Sequence, residues 1–154
     1  MEEIKLSTGL KKIAIKDEDG ELITVLTIDT ANADTAEKFA DVIKELNNIS
    51  ENCEREAAEW REKHKEDPAS EDVDVESALE NNRIRVKYLK QIGESIDRLF
   101  GENTMKNIYG DIVPDELAVV EFVEQIVPVM NQLFQKRFEV TRQKYNSGRR
   151  GARS

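Results

Sequence analysis

The chain has 154 residues, of which 38% are hydrophobic, 36% charged and 6% aromatic, enough for one domain with its own core. Thirty-two Asp+Glu against 23 Lys+Arg give a formal net charge of −9, which disfavours general attraction to nucleic acid or a membrane surface. A single cysteine, Cys53, and a single histidine, His64, exclude an internal disulfide framework and an imidazole cluster for a transition metal, and the composition points away from an enzyme.

Residues 11–28 read as a β-hairpin. Lys12–Lys16 and Leu22–Ile28 are rich in β-branched residues, and Asp17-Glu18-Asp19-Gly20 between them carries the Asp-Gly turn signal. Asp17, Asp19 and Glu21 alternate as in a calcium loop, but Gly20 comes too early and no Glu stands at the twelfth position, so the turn is the better reading. Two strands alone are marginal, so the hairpin must pack on something or pair with another chain.

A helix follows from about 34 to about 65, opened by Asn32 or Asp34 with Glu37 in a capping-box spacing. Its apolar stripe is Phe39, Ile43, Leu46, Ile49, Cys53, Ala57 and Trp60. Residues 63–76 are polar and acidic and read as a linker. A second long helix starts near 73–75 and ends at Phe100, with a seam of Val75, Leu79, Asn82, Val86, Leu89, Gly93, Ile96 and Phe100. Asn82 would set a partner register and Gly93 would allow close helix approach. A short helix within 102–110 closes at Gly110. The last helix opens at Pro114, with Asp115 and Glu116 set against its dipole, and carries Pro128 in its interior. No apolar run approaches the ~20 residues of a bilayer span, and Met1–Lys5 lacks a basic, apolar leader, so a soluble intracellular protein is expected.

The expected fold is therefore mostly α: three long helices and one short one with an N-terminal β-hairpin, forming a single domain over 1–145 and a flexible basic tail over 146–154. Charge is unevenly spread. Lys136–Ser154 carries seven basic residues against Glu139 alone, a balance of +6 that leaves −15 on the remainder. Arg142, Lys144, Arg149, Arg150 and Arg153 are the candidate partner-binding residues, and an acidic surface such as another copy of the same body is their natural partner. So small a cationic segment beside an acidic body would bind nucleic acid weakly. His64 reads as a solvated surface residue and Cys53 as a small core hydrophobe. No phosphate loop or nucleophile elbow is present, and no cofactor, metal or catalytic residue is assigned.

At Phe100-Gly101-Glu102-Asn103-Thr104 and Lys106-Asn107-Ile108-Tyr109-Gly110 the sequence resembles the tail assembly chaperones of long-tailed bacteriophages and prophages of Gram-positive hosts. There a helix commonly ends in a Phe-Gly-Glu-Gly-like turn, followed by an Ile-Phe/Tyr-Gly stop. Asn103 stands where the second glycine is expected. Ile23–Ile28 ahead of Asp34-Thr35-Ala36-Glu37-Lys38-Phe39, and the basic ending with Lys144-Tyr145 and Arg149-Arg150, fit the same context. The resemblance implies a non-catalytic, mostly helical protein of the bacterial host cytoplasm, absent from the mature virion. It would assemble as a homo-oligomeric ring or spiral and coat the tape-measure protein. It would also help recruit tail-tube subunits, in part through a longer frameshifted product. The alternative suggested by the acidic body is a nucleic-acid-mimicking inhibitor or regulator that occupies a DNA-binding protein.

Overall fold

The computed structural model describes residues 1–65 and 71–152. The elements are β1 (Leu10–Lys16), β2 (Leu22–Asp29), α1 (Thr35–Lys63), α2 (Glu71–Phe100), α3 (Thr104–Tyr109) and α4 (Glu116–Ala152). This is the predicted mostly α architecture with an N-terminal hairpin. The strands pair antiparallel, Ile13 opposite Leu26 and Ile15 opposite Thr24, with the register broken between Ile15 and Lys16. The turn is made by Asp17, whose carboxylate accepts the backbone N–H groups of Asp19 (3.0 Å) and Glu21 (2.9 Å). That local use of the carboxylate is what an Asx turn requires.

Period-two alternation sets one hairpin face inward. Leu26 and Ile28 are buried and Ile13 and Ile15 pack against the same core, while Leu10, Leu22 and Val25 stay exposed. The core joins these to Phe39 and Ile49 of α1, Leu89, Ile92 and Ile96 of α2, Met105 of α3, and Val119, Phe122, Ile126 and Met130 of α4. Met130 and Ile96 lie deepest, at 0% and 2% exposure. Phe39 meets Phe134 at 5.8 Å and Phe100 meets Phe122 edge-on at 5.9 Å, the tilted geometries that aromatic quadrupoles favour. By length and composition α4 could cross a membrane, a property overlooked when the sequence is scanned for an uninterrupted apolar run, because Glu121 and Glu124 divide it. In this fold its Val119–Met130 face belongs to the core.

α2 is the central strut. Glu45 and Glu56 of α1 pair with Arg98 and Lys87 of α2, equally spaced along both helices in opposite directions, so the two lie antiparallel in constant register. Arg85 ties α2 to α4 through a two-pronged contact with Glu116. This departs from the predicted α2 seam. Val75, Leu79 and Asn82 are exposed, and Ile84, Ile92 and Ser95 are buried instead. Asn82 accepts a hydrogen bond from Arg85 (3.2 Å) rather than setting a partner register. The heptad reading chose a strip; packing against α1, α3 and α4 together uses a broader face.

Helix ends differ from expectation in four places. Asp34 is the first cap of α1 but its side chain makes no capping bond; Asn32 supplies the turn, accepting the Asp34 N–H at 3.0 Å. Pro114 precedes α4 rather than starting it, and Asp115 is the cap, its carboxylate accepting the Ala118 N–H at 3.0 Å. α2 begins at Glu71, earlier than predicted, so part of the expected linker is helical; Pro68 lies outside the described residues. α4 runs to Ala152, where a tail is expected from 146. Gly148 costs a helix only about 1 kcal/mol, and the Lys, Arg and Gln residues before it are strong helix formers.

Gly93 faces α3, not another long helix: a Cβ there would sit 3.8 Å from Met105 Cγ, an ordinary contact. Gly9 is the opposite case, with φ of +73° and a Cβ that would fall 2.6 Å from the Ala31 Cβ. Gly93→Ala should therefore stabilise the fold by about 1 kcal/mol, raising Tm by about 2–4 °C for a chain of this size. Gly9→Ala should lower Tm, and thermal melts followed by circular dichroism read both.

Candidate functional site

Among the described residues, two clefts are candidate sites. The larger, about 620 Å³, lies between β1, the end of α3 and α4. Ile13, Ile15, Ile108, Phe122, Ile126 and Val129 supply its apolar wall. Ile13, Ala14, Ile15 and Lys16 all line it. Side chains of successive strand residues point to opposite faces, so the cleft borders the edge of β1 rather than one face of the sheet. β1 pairs with β2 alone. Along its other edge the outward backbone N–H and C=O groups therefore have no strand partner among the described residues. The cleft combines an apolar wall with an open strand edge, a surface suited to an extended segment with alternating apolar residues.

The second cleft, about 490 Å³, lies between α1 and α2 and is lined by Arg55, Glu56, Glu59, Lys63 and Glu80 around Trp60 and Tyr88. Two of its carboxylates are used internally: Glu80 pairs with Arg83 at 3.3 Å, and Glu56 bonds to α2. Glu56 accepts hydrogen bonds from the Tyr88 hydroxyl and from Lys87 Nζ (2.9 and 3.1 Å). These hold its carboxyl below the usual range, the Tyr88 bond contributing most and Lys87 next. His64 is exposed, stacks on Trp60 at 4.1 Å, and its Nδ1 lies 2.8 Å from the Trp60 carbonyl, which makes Nδ1 the donor. That contact closes the last turn of α1.

Nothing in either cleft is arranged as a nucleophile with its base. Burial pushes the Cys53 thiol up, aided by Glu116, Glu56 and Glu54, so it sits on the α1 stripe as a neutral hydrophobe. Burial likewise raises Tyr109, with Glu121 and Asp115 adding to it; its hydroxyl donates to the Ala118 carbonyl at 2.9 Å. Among the described residues no group of three His, Cys, Asp or Glu side chains could hold a metal ion.

The candidate residues of the basic segment fall on α4, not on an irregular tail. Arg142 and Lys144 are exposed on it, Arg149 and Arg150 lie within its bounds, and Arg153 is outside the described residues. α4 is exposed throughout from Phe138 to Gly148, so the fold places Arg142 and Lys144 outside the packed core. Sequence reasoning missed the cleft and passed over Ile4 and Leu6, whose alternation ahead of β1 was the available signal.

Glu56 and the Arg85-bonded Glu116 both have lowered folded-state pKa values. Their contribution is complete above the ordinary glutamate range and is lost as pH falls through the lowered values, so stability should decline below about pH 4. Both pairs are partly solvated, so the effect is modest. Glu56→Gln and Glu116→Gln should each reduce this decline in urea titrations run across pH. The Cys53 thiol should react with a disulfide reagent more slowly than free cysteine at neutral pH, and speed up on adding urea.

No curated protein and no solved structure matches the chain. Residues 21–154, from the end of the hairpin turn through α4, match the model of a family of unknown function, DUF6673, and the chain belongs to that family.

Proposed function

We propose that this chain is a non-catalytic tail assembly chaperone of a long-tailed bacteriophage or prophage. It acts in the bacterial host cytoplasm by associating with further copies of itself and coating the tape-measure protein. The observation that carries the reading is the division of the molecule between an acidic helical body and an exposed, basic distal α4. Phe138 and Val140 are 66% and 49% exposed there, beside Lys136, Arg137, Arg142 and Lys144. Such a segment suits helix-in-groove contact with an amphipathic partner and salt-sensitive attraction to the acidic body of a neighbour.

The corner between α2 and α3 supports the same reading. Gly101 and Asn103 both adopt positive φ, +116° and +67°, and Asn is among the non-glycine residues most tolerant of that region. Asn103 can therefore hold the place of the second glycine in the Phe-Gly-Glu-Gly-like turn on which the resemblance rests. Recruitment of tail-tube subunits through a longer frameshifted product, and departure before the virion is complete, complete the proposed role.

Co-expression with the tape-measure protein of the same phage should keep that protein soluble and co-sedimenting with the chain. Arg149→Glu/Arg150→Glu should weaken this association, and self-association, with unchanged far-UV circular dichroism. A chain that leaves the tape-measure protein insoluble, and instead displaces DNA from a basic partner as a discrete monomer, overturns the reading.

A further inference from the structure

We infer that the edge cleft of each copy receives residues 1–8 of a second copy as an added β-strand. The donor is visible in the fold. Residues 1–8 are all exposed, yet Ile4 and Leu6, at 87% and 84% exposure, alternate with Glu3, Lys5 and Ser7 as a half-buried strand does. Eight extended residues reach about 26 Å at ~3.3 Å each, enough to run beside β1 along its whole length.

The acceptor matches in side chains and charge. Ile13 and Ile15 point inward from β1 and line the cleft. A parallel arm that sets Ile4 opposite Ile13 and Leu6 opposite Ile15 brings Glu3 opposite Lys12 on the outer face and Glu2 opposite Lys11 at the end of the inner one. An antiparallel arm that sets Leu6 opposite Ile13 and Ile4 opposite Ile15 brings Glu3 opposite Lys16. Either direction therefore joins apolar side chains on the inner face and pairs Glu3 with a lysine, Lys12 or Lys16, on the outer one, contacts that stabilise neighbouring strands.

The arm does not suit its own cleft. The Gly9 carbonyl accepts both the Thr30 N–H (2.9 Å) and the Thr30 hydroxyl (2.5 Å), prolonging the ladder with β2 by one residue. The arm thus departs beyond the open end of the hairpin. A return through a two-residue turn at Ser7-Thr8 would set Leu6 opposite Gly9, Ile4 opposite Lys11 and Glu2 opposite Ile13, placing a carboxylate against the apolar wall. A second copy supplies the arm without that mismatch. Head-to-tail donation continues from copy to copy and builds a ring or filament, whereas reciprocal exchange closes a dimer. The contact stands on the arm and the cleft, whatever the assembled copies then bind.

Sedimentation velocity over a concentration series tests it on the full chain. The wild type should self-associate, and Ile4→Asp/Leu6→Asp should weaken the association about 100-fold with unchanged circular dichroism and Tm, since the arm is outside the core. In a Cys53→Ser background, a chain carrying Leu6→Cys mixed with one carrying Ile13→Cys or Ile15→Cys should yield an interchain disulfide under mild oxidation. Ile13 as partner reports an antiparallel arm and Ile15 a parallel one, and either supports the contact. A wild type that stays monomeric, an association untouched by the arm variant, or a cross-link formed only when both cysteines sit on one chain overturns it. Solubility of the tape-measure protein is a separate readout, so failure here and failure of the chaperone reading are distinguishable.

Discussion

Asp97 holds the corner on which the arrangement of the later elements depends. Its backbone carbonyl accepts the Gly101 N–H at 2.7 Å, ending α2, and its carboxylate accepts the Met105 N–H at 2.9 Å, opening α3. Thr104 adds a bond from its hydroxyl to the Gly101 carbonyl at 2.7 Å. Both helix ends thereby gain partners within five residues, which lets the chain turn sharply next to the core. With the corner set, Met105 enters the core, Phe100 meets Phe122, and Tyr109 reaches the Ala118 carbonyl to fasten the start of α4. The wall of the larger cleft, built from Ile108, Tyr109 and Phe122, follows from the same turn.

Charge works at two scales in this molecule. Close pairs between α1, α2 and α4 set helix register, and each is solvated enough to contribute little net stability. Their worth lies more in geometry: Arg85 with Glu116 is two-pronged, a contact with a preferred orientation. The larger asymmetry, −15 on the body and +6 from Lys136 onward, is not absorbed by such pairs. It leaves opposite signs on separate surfaces of one chain, the condition under which copies attract one another in an ionic-strength-dependent way.

The two ends are also unequal in how they could meet a partner. The arm presents bare backbone and alternating apolar residues, so its partner must offer a strand edge, which β1 does. Distal α4 has already satisfied its backbone internally and can offer only side chains, Phe138 and Val140 among them. One chain thus exposes an extended segment with alternating apolar residues at one end and a helix with apolar and basic side chains at the other.

The sequence by itself determined the element order, because periodicity and turn chemistry are local. The Asp-Gly turn, the α1 stripe from Phe39 to Trp60 and the Gly110 stop were all legible within a few residues of where they act. Tertiary structure alone decided which face of α2 is buried, since Ile92 joins a core shared with elements distant in sequence while Asn82, on the apparent seam, is exposed and bonded to Arg85. It alone decided that Gly93 faces Met105 and that the edge of β1 opens onto α4. A cleft is made by elements a hundred residues apart, and its shape exists only once they are packed. That is why the alternation of Ile4 and Leu6 carried no meaning until there was a place for it to fit.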